Sequence, residues 1–316
     1  MTNPVHIVTV GETMGLVAND RPGPLHASRA HTLSFGGAES NVAIALARLG
    51  TRVSWVSRLG DDPIGDLIAR ELRAEQVEVH APRCADRPTG FMHKHRQTTS
   101  TGTVSFWRRG SAASTIESSD VPNELLHSAD VVHLTGILPG LSETALDCAV
   151  DIARRARAAG ASVSFDVNHR EAVWRDRDPR EVYAWIASLS DVVFAGEDEA
   201  ALLVGTGTAP ELAERLLDLG PREVVIKRGA KGALGANRLQ RVEQPAIAVD
   251  VVDTVGAGDA FVAGYLSLWG TDTPMTARLN RAAAAGAYAC TVIGDWEGSA
   301  TTAELGRIGA REGIIR

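Results

Sequence analysis

The sequence predicts an α/β fold: a doubly wound, mainly parallel sheet flanked by helices, with a small β-sheet lid. Three observations predict it. Short apolar runs, most of them rich in Val or Ile, recur along the 316 residues. Continuous apolar strands fit a sheet covered on both faces. Amphipathic patterns of helical period fill the spaces between the runs and several stop at glycine. Two segments, 12–35 and 89–114, break this alternation.

In chain order, strands are expected at 5–10, 53–57, 131–134, 162–166, 192–194 and 224–227. Helices are expected at 38–49, before Gly50; at 63–76; at 143–159, before Gly160; and at 211–219, before Gly220. Strand–helix alternation of this kind argues a parallel sheet. Segment 12–35 contains Pro22-Gly23-Pro24. Segment 89–114 is rich in Thr, aromatic and basic residues and turns near Thr101-Gly102, which suits antiparallel strands around a hairpin. Both are read as the lid. No repeat or long linker is visible, so lid and core are expected to fold together as one domain over 1–316. After Asp259 the chain is Ala-rich and helical, most clearly at 282–289.

Composition narrows the function classes. Apolar residues make up 44% and charged residues 22%, near the globular average, which excludes a disordered or fibrous chain. Lys and Arg number 32 against 39 Asp and Glu, a net charge of −7, so general binding to nucleic acid or anionic membranes is not expected. Cys84, Cys148 and Cys290 are scattered and form no CxxC, so no disulfide framework or zinc site is indicated. The N-terminal segment lacks a signal-peptide pattern, and no stretch approaches the ~20 apolar residues of a membrane span. A cytoplasmic protein is expected. His93 and His95 would share one strand face, but no third metal ligand accompanies them.

The sharpest chemistry lies in Asp253-Thr254-Val255-Gly256-Ala257-Gly258-Asp259, followed by a helix-compatible run. A Gly-Ala-Gly turn opening a helix presents unpaired backbone N–H groups and the positive end of the helix dipole, an anion site. A carboxylate beside an anion makes sense if Asp259 takes a proton from a hydroxyl that attacks a phosphate. The plainer explanation is that Asp259 caps the helix and the glycines form a tight turn. A Walker A loop is excluded because Gly258 is followed by Asp-Ala, and the dinucleotide fingerprint because Phe261 stands at its third glycine position.

These residues carry a resemblance to the ribokinase-like, or PfkB, carbohydrate kinases. The stretch from Asp253 through Leu266 resembles that family's C-terminal signature. Gly36-Gly37-Ala38 leading to Asn41-Val42-Ala43, then Gly50 and Gly60, resembles the N-terminal one. The resemblance covers essentially the whole chain and implies a ribokinase-like fold. It implies that Asp259 is the catalytic base and that Gly256, Ala257 and Gly258 form the anion hole for the transferring phosphoryl group. ATP and Mg²⁺ are the implied cofactors. Asn168, Arg170, Lys227, Gly229, Gly232, Gly256 and Gly258 would meet the nucleotide. A solvated basic turn is the alternative explanation of the Lys227-to-Gly232 loop. Glu199 matches a glutamate that supports Mg²⁺ through water, with Gly196 where the family often has Asn. An acidic first helical turn would also explain Glu197, Asp198 and Glu199. Asp253 matches a monovalent-cation site, K⁺, of some members.

Within the family, the segments Phe35 to Asn41, Asp166 to Arg170 with Trp174, Trp107 to Ser114, and Gly294 to Gly298 resemble the 2-keto-3-deoxygluconate kinases. A sugar acid needs a cation for its carboxylate, and Arg108 and Arg170 match that subgroup's arginines. Gly37 would let the sugar approach the backbone, Asn41 and Asp295 would bond it, and Met92 and Phe106 would line the lid side of its pocket. Met92 and Phe106 stand where the subgroup can carry Tyr. Phe106 and Trp107 are equally explained by lid packing or a lid-to-lid contact. The resemblance also implies a homo-oligomer, a dimer through the lid. The alternatives are a fructokinase or ribokinase, a non-catalytic sugar- or nucleotide-binding protein on this fold, and, weakest, a nicotinamide oxidoreductase.

Overall fold

The computed structural model describes residues 5–27, 29–98, 101–175 and 177–308. The larger sheet has nine strands, in the spatial order Arg241–Gln244, Ala233–Ala236, Glu223–Lys227, Val192–Gly196, Ser162–Asp166, Val131–Thr135, His6–Val10, Arg52–Val56 and Glu78–His80. Pairing is parallel from Glu78–His80 to Glu223–Lys227, and the last two strands fold back antiparallel at that edge. The winding reverses between His6–Val10 and Val131–Thr135. From the first strand the chain builds towards one edge, and from the second towards the other. Such a reversal leaves a crevice at the carboxyl ends of the strands.

The strands form because their residues suit burial on both faces: every residue of His6–Val10 and Val131–Thr135 is buried. One face packs Val8, Val132, Phe165 and Ile226 against Glu143–Ala158, Arg180–Ser188 and Ala209–Leu217. The other packs Ile7, Trp55, Val131 and Val225 against Ala38–Arg48, Pro63–Ala74, Ala257–Leu266 and Met275–Ala289. Caps set the helix starts. Asp62 accepts from the Gly65 N–H at 2.8 Å ahead of Pro63, and Ser142 accepts from the Ala145 N–H at 3.0 Å. Gly50 and Gly160, with φ of +86° and +88°, end two of the helices in the left-handed region that favours glycine.

Differences from the sequence reading are local. The helix expected at 211–219 is Ala209–Leu217, because the Glu211 carboxylate reaches back to the Thr208 N–H and sets the start two residues earlier. The edge strands Glu78–His80 and Arg241–Gln244, and Ala233–Ala236 just inside the second of them, are not among the expected elements. They are short, and Ala233–Ala236 is built of Ala, Leu and Gly with little strand propensity, so pairing alone makes them strands.

A smaller sheet has four strands, in the order His31–Gly36, Met14–Asn19, Phe91–Arg96 and Gly102–Trp107. The segments 12–35 and 89–114 supply all four; residues 28, 99 and 100 of those segments lie outside the described residues. The outer pairings are antiparallel, including the hairpin expected within 89–114, and the central one, Met14–Asn19 with Phe91–Arg96, is parallel, a pairing on which the sequence carries no expectation. The two strands come from distant parts of the chain, so no hairpin dictates their direction. Met14, Leu16 and Met92 form this sheet's buried cluster, while Leu33, Val104, Phe106 and Trp107 stand exposed.

Candidate active site

A cavity of about 750 Å³ opens at the carboxyl ends of the parallel strands, beneath the smaller sheet. Asp166, Gly196 and Lys227, each the last residue of its strand, line its floor. Leu16, Met92, Lys94, Val104 and Phe106 line its roof.

One wall is the turn into helix Ala257–Leu266. Gly256 is the helix N-cap with φ of +73°, a conformation that costs a side-chain-bearing residue free energy. A Cβ there would also collide with the Asp295 carbonyl oxygen. Asp259 sits in the first helical turn and faces the cavity. Its Oδ2 accepts from the Asn41 side-chain amide at 2.8 Å, and the Asn41 oxygen accepts from the Gly37 N–H at 3.4 Å. Burial pushes the Asp259 carboxyl up to about 6; the Asn41 hydrogen bond opposes the rise, the Asp166 charge adds to it, and Arg170 and Lys227 moderate it.

Lys227 Nζ lies 2.7 Å from both oxygens of Asp166, a pair almost wholly removed from water on the acid side. Burial works against the Lys227 charge, but Asp166, Glu199 and Asp259 outweigh it and its pKa is raised. Glu199 closes a capping box: its Oε2 accepts from Gly196 N–H at 2.6 Å and its Oε1 from His169 N–H at 2.9 Å. Asn168 is buried with φ of +33° in the same loop, a backbone position Asn tolerates better than most residues. The Arg170 side chain lines the cavity with no carboxylate partner among the described residues.

Beside the Gly256 turn, Asp295 is pushed up to about 7, chiefly by burial, against the pull of Lys94 and helped by Glu297, Asp259 and Asp253. A Cβ on Gly36 would strike the Asp295 carboxylate, and one on Gly37 the Glu12 carbonyl oxygen. Arg108 is turned onto Glu12, a fully buried carboxylate 2.6 Å away that also accepts from the Ser111 hydroxyl. Arg108 lies over the Phe106 ring at 6.0 Å and lines a neighbouring cleft with Arg109, Glu143, Trp174 and Arg177.

Of the residues singled out in the sequence, Gly37, Asn41, Met92, Phe106, Asn168, Arg170, Glu199, Lys227, Gly256, Gly258, Asp259 and Asp295 line one cavity. Arg108, Ala257, Gly229, Gly232 and Asp253 do not. Gly229 and Gly232, with φ of +53° and +90°, shape the turn beyond Lys227. The sequence reading missed Lys94, the Glu12–Arg108 pair and the Lys227–Asp166 pair. Period-two alternation along Phe91–Arg96 could have found Lys94, which shares a face with Met92. His93 and His95 face the other way, stack at 6.0 Å, and belong to no group of three metal-ligating residues among those described. The two ion pairs join residues far apart in sequence and leave no local signal.

Residues 5–302 match the profile of the pfkB family carbohydrate kinases. The 2-dehydro-3-deoxygluconokinase of Bacillus subtilis is 35% identical over 302 residues, 94% of this chain and 93% of the relative. The 2-dehydro-3-deoxygalactonokinase of Haloferax volcanii is 33% identical over 293 residues, 92% of each. A double mutant of fructokinase from Vibrio cholerae, solved with fructose, ADP and a potassium ion, superimposes with a TM-score of 0.84 at 28% identity, covering 96% of this chain and 98% of that one. The architecture is the ribokinase-like fold.

Proposed function

The chain belongs to the pfkB family of carbohydrate kinases and is a sugar kinase, and on that premise we propose that it transfers the γ-phosphate of ATP to the primary hydroxyl of 2-keto-3-deoxygluconate, giving the 6-phosphate. The observation that carries this reading is the juxtaposition of Asp259, oriented by Asn41 at 2.8 Å and with its carboxyl near 6, with the glycine turn at the start of its own helix. Asp259 accepts the hydroxyl proton as the sugar oxygen bonds to the γ-phosphorus and the bond to the bridging oxygen of ADP breaks. The proton then leaves to water. The amides of Gly256, Ala257 and Gly258 stabilise the phosphoryl oxygens. Asp259 is ionised at neutral pH and close enough to it in pKa to act as a base.

ATP and Mg²⁺ suit the residues present. Asn168, Lys227 and the turn holding Gly229 and Gly232 stand on the nucleotide side. Each Glu199 oxygen accepts one backbone N–H and retains a lone pair for a metal-bound water. No group of three or more metal-ligating residues occurs among those described, which fits a Mg²⁺ held mainly by phosphate and water. When bound, the ion neutralises charge on the transferring group. The Asp253 carboxylate does not suit a monovalent ion: Lys94 and Arg96 already hold it.

Arg170 supports the acid sugar, being a cation on the cavity wall without a carboxylate partner among the described residues. Gly37, Asn41 and Asp295 border the space for its hydroxyls. One observation favours a second reading, a neutral ketose or aldose as in a fructokinase or ribokinase: Glu12 neutralises Arg108. A non-catalytic binding protein is the third. We take the chain as one kinase domain, with the smaller sheet as its lid. A dimer is proposed through that lid, whose edge strand exposes Val104, Phe106 and Trp107. No described helix is long and apolar enough to cross a membrane, and a cytoplasmic location is proposed.

The deciding experiment measures ADP release with Mg²⁺-ATP over 2-keto-3-deoxygluconate, its galactonate epimer, gluconate, fructose, ribose and adenosine. Turnover confined to the keto-deoxy acids supports the reading. Turnover on a neutral sugar alone replaces it with the second, and ligand binding without turnover replaces it with the third.

A further inference from the structure

The Asp253 carboxylate is held from outside its own loop. Lys94 Nζ lies 2.8 Å and Arg96 Nη2 3.1 Å from the same oxygen, Oδ2. Lys94 and Arg96 are two residues apart on strand Phe91–Arg96 and so share a face. The contact is well removed from water: the side chains of Lys94 and Asp253 are 15% and 11% exposed. The other carboxylate oxygen, Oδ1, accepts from the Val255 N–H at 3.3 Å. That bond shapes the turn entering Gly256, whose α-carbon the Asp295 carbonyl approaches so closely that a Cβ there would collide with it. The smaller sheet and the glycine turn thus meet through one carboxylate. The same sheet touches the core again where the Ser34 hydroxyl donates to Glu297 at 2.8 Å.

We propose that Lys94 and Arg96 are the built-in cations of Asp253: they clasp the lid onto the phosphate-binding turn, position that turn, and take the place of a dissolved monovalent cation. The proposal rests on the kinase reading for its effect on rate, but not for the clasp itself. A carboxylate with two cationic donors on one oxygen has little charge left for a third cation, which Lys94 and Arg96 would also repel. Opening a partly buried pair leaves an uncompensated charge, so a dissolved ion does not readily displace them. Lys94 and Arg96 are positioning residues, since they act on the reacting phosphate through Asp253 and the turn. The consequence is that the donors at Gly256, Ala257 and Gly258 are in place only while the lid strand is down.

The test replaces K⁺ by tetramethylammonium at constant ionic strength and reads two quantities on the full chain: the melting temperature without sugar, and the rate of ADP release on the sugar it accepts. For the parent, both are expected to be the same in the two salts. Lys94→Met/Arg96→Met is expected to lose about tenfold or more in kcat, the size of a lost charge-assisted contact. K⁺ but not tetramethylammonium then restores part of that rate and raises the melting temperature. Lys94→Met alone, which leaves Arg96 on the Asp253 oxygen, serves if the double variant does not fold: it is expected to lose severalfold in kcat and to regain part of that in K⁺ but not in tetramethylammonium, and a loss that K⁺ leaves untouched overturns the proposal there as well. A parent that melts higher or turns over severalfold faster in K⁺ overturns the proposal. So does a double variant with the parent's rate, or with a loss that K⁺ leaves untouched. If no sugar is turned over, the kinase reading fails, and the clasp is still judged by the melting temperatures.

Discussion

The Asn41 amide donates to the Asp259 carboxylate at 2.8 Å across 218 positions of sequence. It joins the first helix of the fold to the helix that opens at Gly256, and it is the one side-chain hydrogen bond to Asp259 found among the described residues. The bond orients the carboxylate towards the cavity and favours its charged form against burial.

Asp259→Asn removes the base while keeping shape and burial. We expect kcat to fall by ~10²–10⁴, the usual worth of a positioned general base, with the melting temperature unchanged or raised. A kcat within threefold of the parent in steady-state assays would remove Asp259 from the mechanism.

Asn41→Ala removes a hydrogen bond that lowers the Asp259 pKa. The expected result is a loss of roughly tenfold in kcat/KM, the worth of a hydrogen bond to a charged group. In the parent, kcat/KM should rise with pH through about 6, as Asp259 becomes able to take a proton, and then level. In the variant that acid limb should move to higher pH. A limb at the same pH in both proteins would show that Asp259 is not the group titrating.

Gly256→Ala places a Cβ against the Asp295 carbonyl at a residue with φ of +73°. Relief requires the turn to shift, which displaces the amide donors. Activity is expected to fall by ~10²-fold or more, comparable with losing an oxyanion-type donor, while circular dichroism reports a folded chain. Gly258→Ala meets no atom within 4 Å and should be milder.

Asp295 retains its proton to about 7, against 3.8 for an ordinary Asp. Between those values the folded state holds a proton that the unfolded state has released. Its contribution to stability therefore falls as pH rises through that interval. Asp295→Asn should raise the melting temperature relative to the parent at pH above 7, with little difference near pH 4. A difference that does not grow with pH would place the burial penalty elsewhere.

The legible and illegible parts of the site divide by range. Gly256, Gly258 and Asp259 are readable because a glycine turn, a helix start and an acidic first turn are adjacent in sequence. Lys227 is readable as the end of a Val/Ile strand, but its Asp166 partner is not, since only parallel packing brings the two strand ends together. The family resemblance puts Arg108 and Arg170 in one basic pocket for a sugar carboxylate. In the structure Arg170 lines the main cavity, and Arg108 is held by Glu12 beside another cleft. A guanidinium reaches several partners from one backbone position, so its side-chain direction cannot be read from spacing.

By itself the sequence determined the fold class, six of the parallel core strands, several of the flanking helices and the turn that carries Asp259, because hydrophobic period, caps and glycines act over a few residues. Tertiary structure alone decided the parallel pairing of Met14–Asn19 with Phe91–Arg96, the Asn41–Asp259 bond, and the capture of Asp253 by Lys94 and Arg96. It also decided the raised pKa values of Asp259 and Asp295. These depend on which charges meet and how far water is excluded once distant segments pack, and neither quantity is a property of any short stretch of chain.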